Sequence, residues 1–309
     1  MKNSNTMRKA APFLVAAASI LWGILVIFVR KLNASGFSAM EIVCIRSYGS
    51  VFFLFPGIGL LQMVTKKNFL HVRIRDCWCY VGTGIFSIVF FSYCYFKNVG
   101  ISSAAFSSIL MYTSPVWVML MSMVCFREKM SRRKWISLVL ALAGCVLVSG
   151  ITSGPGNISV RGLLLGVGSG IGYGLYTIFG QYALNKGYHP MTVSAYTFLF
   201  ACVGVLPFVR LPEIVEKLNA APAYWGVGLA MAFFSTTVSF SLYTLGLKYM
   251  EPGRAAVLAT LEPIVSALTG VLCYKERLSA VMLAGMLLVL IASVLVSRKE
   301  EEEKNVGVS

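Results

Sequence analysis

The feature that most constrains this chain is a repeat within its own sequence. Residues 109–149 align without a gap with residues 257–297, at an offset of 148 positions. Identical residues at matching positions include Pro115 and Pro263, Cys125 and Cys273, Glu128 and Glu276, and Ser131 and Ser279. A second offset, of 151 positions, pairs Trp22-Gly23 with Tyr173-Gly174. The sequence therefore predicts two copies of one structural unit.

Each copy contains five apolar runs, and most of these runs approach or exceed the roughly 20 residues that a helix needs to cross a bilayer. The predicted spans are approximately 11–29, 39–63, 77–96, 102–125, 134–152, 161–183, 190–209, 222–244, 252–274 and 279–297. With 57% hydrophobic and 13% charged residues, the composition is far from that of a soluble protein. We therefore predict an all-α integral membrane protein.

The odd number of spans in each copy determines how the copies are related. A unit of five spans enters the bilayer on one side and leaves on the other, so a fused second copy must be inverted. We predict ten transmembrane helices, arranged as two inverted five-helix repeats at 11–152 and 160–297 and followed by a charged cytoplasmic tail at 298–309. Inverted repeats are common in secondary transporters, whose sites lie near the midplane at interrupted helices.

The basic residues behind the net charge of +15 are distributed as membrane orientation requires. We therefore expect no nucleic-acid partner. With the N-terminus inside, the inner segments hold 18 of the 27 Lys and Arg residues and the outer loops hold 8. An excess of basic residues in the inner loops places both termini in the cytoplasm. The sequence thus favours a multi-pass membrane protein whose surroundings are the lipid bilayer.

The ninth span contains a carboxylate beside a helix-breaking residue, Glu262-Pro263. An acid at this depth costs about 2.5–3.5 kcal/mol in lipid, so it should face protein or a water-filled cavity. Pro263 lacks an N–H group and must kink or open the helix. The aligned Ser114-Pro115 predicts a second helix break in the fourth span, but the acid exists in one repeat only. Glu262 is therefore a candidate for substrate binding or ion coupling, with a structural role as the alternative.

Further candidates for the substrate cavity come from other spans. Arg46 is the one basic residue away from the ends of a predicted span, where it could pair with Glu262, bind a substrate carboxylate, or only tether neighbouring backbone. Aromatic and hydroxyl side chains complete the candidate set: Trp22, Tyr93, Tyr112, Tyr173, Thr236 and Tyr243. Each of them could instead serve ordinary packing between helices.

Other motifs indicate structure. Glu128 and Glu276 lie between basic residues at the ends of the fourth and ninth spans, which is typical of a helix-turn-helix hinge. The eight cysteines lack neighbouring histidines at zinc-site spacing, so we expect no metal. Neither a phosphate-binding glycine loop nor a Ser–His or H-E-x-x-H set occurs. We therefore expect no cofactor and no enzymatic activity.

Several short motifs, in order, carry a family resemblance. They are Leu21-Trp22-Gly23, Ile45-Arg46-Ser47, Tyr95-Phe96-Lys97-Asn98-Val99, Thr113-Ser114-Pro115-Val116 and Leu261-Glu262-Pro263-Ile264. With the two hinges, they make residues 11–297 resemble the drug/metabolite transporter superfamily, in particular the bacterial ten-span group with two EamA domains. The chain departs from internal symmetry at Thr197, which stands where the second repeat would mirror Arg46.

The resemblance implies a central cavity between inverted halves and the export or exchange of small organic solutes across the bacterial cytoplasmic membrane. We expect a secondary active transporter of amino acids, drugs or related amphipathic molecules, working by alternating access, with possible proton or cation coupling, as a monomer or homodimer. A sugar-phosphate or nucleotide-sugar exchanger is the alternative within this class. A membrane scaffold or receptor that transports nothing is the alternative outside it.

Overall fold

The structure is a computed structural model that describes residues 2–102, 104–149, 159–276 and 278–297. Within these residues the secondary structure is entirely helical. The long helices are α1 (Lys2–Ala34), α2 (Ala39–Thr65), α3 (Ile74–Ile101), α4 (Ala104–Met111 and Ser114–Phe126), α5 (Arg132–Val148), α6 (Val160–Asn185), α7 (Pro190–Phe208), α8 (Pro222–Leu247), α9 (Pro252–Ala259 and Glu262–Tyr274) and α10 (Ala280–Ser297).

These helices confirm the predicted fold class. In the described part of the chain, nine helices are long and apolar enough to cross a membrane, and α5 is slightly shorter, with 17 residues. α1 is helical from Lys2, well before the predicted start of its apolar run. A short helix at Leu211–Asn219, not expected from the sequence, lies between α7 and α8. The predicted tail at 298–309 and most of the segment joining the repeats lie outside the described residues.

The contacts between helices repeat with the pseudo-two-fold relation that inversion requires. α1 packs on α8 and on the second half of α9, and the matching α6 packs on α3 and on the second half of α4. α2 packs on its own counterpart α7, and α5 packs on α10. We call the side where α1 begins and α10 ends the terminal face, and the other side the opposite face.

α4 and α9 are interrupted at matching positions. The first half of each ends at Met111 or Ala259, and the second begins at Ser114 or Glu262, so a proline follows directly in both second halves. Because proline donates no backbone hydrogen bond, each break frees carbonyl groups that must find other donors. Thr113 Oγ1 donates to the Leu110 carbonyl at 2.6 Å, and Thr260 Oγ1 donates to that of Val257 at the same distance.

α3 and α8 each contain a wider helical turn that no sequence signal predicted. The π-helical segments are Gly82–Val89 and Phe233–Val238, which begin 151 positions apart. In the first, Thr83 Oγ1 lies 2.6 Å from Thr197 Oγ1 of α7. In the second, Thr237 Oγ1 donates to Ser50 Oγ of α2 at 3.2 Å. The first segment therefore places hydroxyl groups between α3 and α7, and the second places them between α8 and α2.

The glycines of the Trp22-Gly23 and Tyr173-Gly174 pairs allow two matching close approaches. A Cβ atom at Gly23 would lie 2.5 Å from Val265 Cβ and 2.9 Å from the Glu262 carbonyl oxygen. A Cβ atom at Gly174 would lie 3.0 Å from Val118 Cγ2 and 3.4 Å from the Ser114 carbonyl oxygen. α1 therefore lies directly against the break of α9, as α6 lies against the break of α4.

The unequal closeness of these contacts gives a matched prediction. Gly23→Ala is expected to lower the free energy of unfolding by about 1–2 kcal/mol, because overpacking at backbone contact outweighs the better helix propensity of alanine. Gly174→Ala is expected to be close to neutral, since its nearest side-chain neighbour can move by a few tenths of an ångström. Thermal unfolding of both variants in detergent tests this ranking, and equal stabilities would contradict it.

Candidate functional site

A cavity lies at the centre of the molecule, between the two repeats. Its volume is about 70 Å³, which is smaller than that of most small-molecule sites. The lining residues come from seven of the ten long helices: Trp22, Leu25, Arg46, Ser87, Ile88, Phe91, Ser114, Val118, Tyr173, Gly174, Tyr176, Thr177, Phe240, Tyr243, Ala256, Ala259 and Glu262. Both helix breaks therefore border the cavity, at Ser114 and at Glu262.

Two opposite charges share this cavity. Glu262, the first residue of the second half of α9, accepts a hydrogen bond at Oε2 from the Tyr173 hydroxyl at 2.7 Å. Arg46 is 9% exposed, and its Nε has no hydrogen-bond partner among the described residues. Its guanidinium carbon lies 5.8 Å from the Phe240 ring centroid, a cation–π contact. Within the described residues, no Arg46 nitrogen lies within 4.0 Å of a Glu262 oxygen.

Aromatic rings form much of the cavity wall. The Trp22 ring centroid lies 5.0 Å from that of Phe240, 5.2 Å from that of Tyr243 and 6.4 Å from that of Tyr173. Trp22 is 7% exposed, and its indole Nε1 has no hydrogen-bond partner in the described structure. The wall therefore combines apolar surface with an unused N–H donor.

The structure brings five of the eight cavity candidates together and places three elsewhere. Trp22, Arg46, Tyr173, Tyr243 and Glu262 line the cavity. Tyr93 packs against Phe208, with ring centroids 5.2 Å apart, near the opposite-face end of α7. Tyr112 is buried among the apolar residues around Cys145 and Ile264. Thr236 donates to the Met231 carbonyl at 3.3 Å, because the π-helical segment of α8 turns this hydroxyl inward on its own helix.

Sequence comparison identifies the kind of protein to which this architecture belongs. The profile of the "EamA-like transporter family" matches residues 9–150 and 160–298, one match per repeat. This chain belongs to the EamA-like transporter family.

Individual relatives agree with the family assignment. An uncharacterized transporter of Archaeoglobus fulgidus is 28% identical over 231 residues, covering 74% of this chain and 80% of the relative. The uncharacterized transporter YwfM of Bacillus subtilis is 25% identical, with coverage of 84% and 86%. The threonine/homoserine exporter RhtA of Escherichia coli K12 is 25% identical, with coverage of 71% and 72%.

A solved structure shares the fold. It superposes with a TM-score of 0.74 at 17% sequence identity, covering 93% of this chain and 96% of its own. The protein is thus a multi-pass membrane transporter of the EamA family, a family whose members are transporters and not enzymes. Among the described residues, no three His, Cys, Asp or Glu side chains are grouped as a metal site would require.

The transporter is closed more tightly on one side of its cavity than on the other. At the terminal face, the second half of α4 packs against the first half of α9. Within the described residues, the halves nearest the opposite face, Ala104–Met111 and Glu262–Tyr274, make no comparable contact. The two interrupted helices are therefore joined on the terminal side of their breaks and separate on the other.

Ion pairs reinforce the terminal side. Lys134 Nζ lies 2.7 Å from Glu251 Oε2 and 3.2 Å from Glu128 Oε1, and it also donates to the Lys129 carbonyl at 2.7 Å. Glu128 Oε2 accepts from the Gly253 backbone N–H at 3.3 Å. The side chains of Lys134 and Glu128 are only 3% and 2% exposed. This network, which we call the terminal clasp, joins the α4–α5 hinge to the start of α9.

The second predicted hinge acid makes a different contact. Glu276 Oε1 lies 2.6 Å from Arg30 Nη1 at the end of α1, and both side chains are close to half exposed. The position that matches Lys134 in the second repeat is Met282, so among the described residues Glu276 has no lysine partner equivalent to Lys134. An exposed pair such as Arg30–Glu276 contributes about 0–1 kcal/mol.

Proposed function

We propose that this protein is a secondary active transporter of small organic metabolites, working by alternating access across the bacterial cytoplasmic membrane with both termini inside. The observation that carries the proposal is the central cavity with one carboxylate and one guanidinium, bordered by two interrupted helices. Because α4 and α9 are joined only on the terminal side of their breaks, rocking of the repeats could open one side as it closes the other. The relation to an exporter of threonine and homoserine makes export the favoured direction.

The distribution of basic residues argues against the sugar-phosphate alternative. A phosphorylated solute would favour several Lys or Arg side chains, and Arg46 is the one such residue among the cavity residues described. Lys67, Arg73, Arg75 and Lys248 instead surround a wide depression at the terminal face. There, the hydrogen bond from Lys186 to Asp76 raises the pKa of Lys186 above its ordinary value. These charges fit the expected cytoplasmic surface.

The convergence of polar groups on one cavity argues against a scaffold or receptor. A molecule whose spans only form a docking platform would be expected to have a packed, apolar centre. Here Arg46, Glu262 and the unpartnered Trp22 N–H all border the same space, where leaving polar groups without partners is costly. Such an arrangement favours a centre that binds a solute.

A transport assay tests the route through the cavity. Purified protein in vesicles is expected to exchange small metabolites faster than protein-free vesicles. Leu25→Trp, which adds bulk at the cavity wall, is expected to reduce this exchange at least about tenfold if the wider side chain occupies the solute's place. Val294→Trp adds the same bulk on the outer side of α10, where Val294 is 56% exposed, and should leave exchange unchanged.

The outcomes separate the competing functions. Equal exchange by the Leu25→Trp and Val294→Trp variants, with intact folding by size-exclusion chromatography, would place the route elsewhere. No exchange by the wild-type protein across amino acids, organic cations and phosphorylated sugars would favour the scaffold.

A further inference from the structure

We infer that the central cavity selects zwitterionic solutes, with Arg46 binding a carboxylate, Glu262 binding an ammonium group, and the aromatic wall receiving an apolar side chain. This inference rests on the proposed transport function, and it names the chemical class of the solute. Two opposite charges, on Arg46 and Glu262, face one mostly apolar space without forming an ion pair.

The guanidinium of Arg46 is poorly satisfied by the protein itself. No hydrogen bond or ion pair from a described residue reaches it, and its guanidinium carbon lies 5.8 Å from the Phe240 ring centroid. A buried guanidinium normally finds a planar acceptor, since its N–H groups match the two oxygens of a carboxylate. Trp22 Nε1, also buried without a partner, supplies another donor to the same cavity. Together they provide the donors that a ligand carboxylate needs.

Glu262 is satisfied at one oxygen only. Oε2 accepts from the Tyr173 hydroxyl, and no described residue donates to Oε1. A primary ammonium carries three N–H donors and can complete this carboxylate. Because Arg46 and Glu262 are not in contact, a ligand that carries both a carboxylate and an ammonium group can bridge them. A ligand with only one charge cannot.

The asymmetry of the repeats gives the ligand a direction. The residue that matches Arg46 in the second repeat is Thr197, and the residue that matches Glu262 in the first repeat is Ser114. Thr197 Oγ1 is already hydrogen-bonded to the Val193 carbonyl at 2.8 Å. The two charges therefore occur once each, one per repeat, and a zwitterion can bind in one orientation only.

The same charges act against other solutes. A simple cation would meet Arg46, and a simple anion would meet Glu262, at short range in a site with little water to screen them. Specificity that depends on repulsion as well as attraction predicts a characteristic response to mutation. Removing Arg46 should weaken zwitterion binding but improve the binding of an amine, and removing Glu262 should improve the binding of an acid.

Calorimetric titration of the purified, full-length protein in detergent tests this response. One set of probes is L-leucine, 3-methylbutylamine and 4-methylpentanoate, which share an apolar group and differ in their charges. A parallel set carries a phenyl group: L-phenylalanine, 2-phenylethylamine and 3-phenylpropionate. We expect the amino acid of at least one set to bind about tenfold or more tightly than its amine and its acid.

Two variants make the test specific. Arg46→Gln is expected to reduce amino-acid affinity at least about tenfold while raising the affinity for the amine. Glu262→Gln is likewise expected to reduce amino-acid affinity, while raising the affinity for the acid. A merely structural role would weaken all three probes together, and that result would overturn the inference. So would equal affinities for the three probes of both sets with the wild-type protein.

The failure of this inference and that of the proposed function are distinguishable. Zwitterion binding without exchange in vesicles would overturn transport and keep the binding site. Exchange of other solutes, without preferential binding of either amino acid, would keep transport and overturn the zwitterion site.

Discussion

Vesicles that contain the Glu262→Gln variant are expected to lose solute accumulation driven by a pH gradient. The glutamine keeps an oxygen that can accept from Tyr173, but its amide neither gains nor loses a proton in the physiological pH range. If one proton moves for each solute, a gradient of one pH unit supports at most about tenfold accumulation. The variant should show none, while the wild-type protein should approach this limit.

The physical reason is that one carboxylate can bind a proton or an ammonium group, but not both at once. A site that must release one to bind the other exchanges them across the membrane when access alternates. Tyr173→Phe removes the hydroxyl and leaves the carboxylate, so this variant should still respond to the gradient. Accumulation is measured with a radiolabelled solute that the wild-type protein exchanges.

A matched control is Glu213→Gln, the same substitution on a half-exposed side chain of the short helix Leu211–Asn219. It should leave gradient-driven accumulation unchanged. Should both Glu262→Gln and Glu262→Ala accumulate solute like the wild type, Glu262 has a structural role and does not couple proton movement to transport.

The architecture was largely readable from the sequence, because its signals are long and repeated. The offset alignment of Pro115 with Pro263 placed the helix breaks in corresponding spans, and an odd number of spans forced the inversion. These inferences depend on backbone chemistry and on topology, which act wherever the sequence places them. For the same reason Trp22, Arg46 and Glu262 could be chosen as cavity candidates from their depth and polarity.

Other features depend on three-dimensional placement and left no sequence signal. The π-helical segments at Gly82–Val89 and Phe233–Val238 have unrelated sequences, so only the packed helices reveal that they correspond. They also explain why Thr236, although at a suitable depth, bonds to its own helix. In the sequence, Lys134 is one of 18 Lys and Arg residues in the predicted inner segments. Its counterpart in the second repeat is Met282, and this difference is the sequence signal that could have predicted an ion pair at one face only.

Lys134→Met is expected to weaken closure at the terminal face. The substitution gives the first repeat the residue of the second, and it leaves the buried Glu128 without its cation. Breaking a buried ion pair by removing one partner costs about 3–5 kcal/mol. Because Glu251 is 45% exposed and can remain hydrated, we expect the lower end, about 3 kcal/mol, or roughly a hundredfold shift in population.

The unpaired Glu128 destabilises the state in which the terminal face is closed, because separation of α4 and α9 would let water reach its carboxylate. The measurement is labelling of an introduced Ala256→Cys, which borders the cavity and is 5% exposed, by a membrane-impermeant maleimide. Labelling should rise in those vesicles in which the terminal face points outward. These are identified by protease cleavage of an N-terminal tag. The same vesicles without Ala256→Cys correct for native cysteines. Lys129→Met, an exposed neighbour that contributes only its carbonyl to the clasp, should behave like the wild type.

A second substitution distinguishes loss of the clasp from general damage. Glu128→Gln combined with Lys134→Met removes the buried charge that Lys134→Met leaves unpaired, so much of the protection of Ala256→Cys should return. If labelling rises equally in the single and double variants, the terminal halves of α4 and α9 are held by packing, and the ion pairs are incidental. If it rises in neither, closure does not depend on Lys134. Recovery in the double variant alone would show that an unpaired charge opens this side, which is the behaviour expected of a gate whose stability rests on electrostatic pairing.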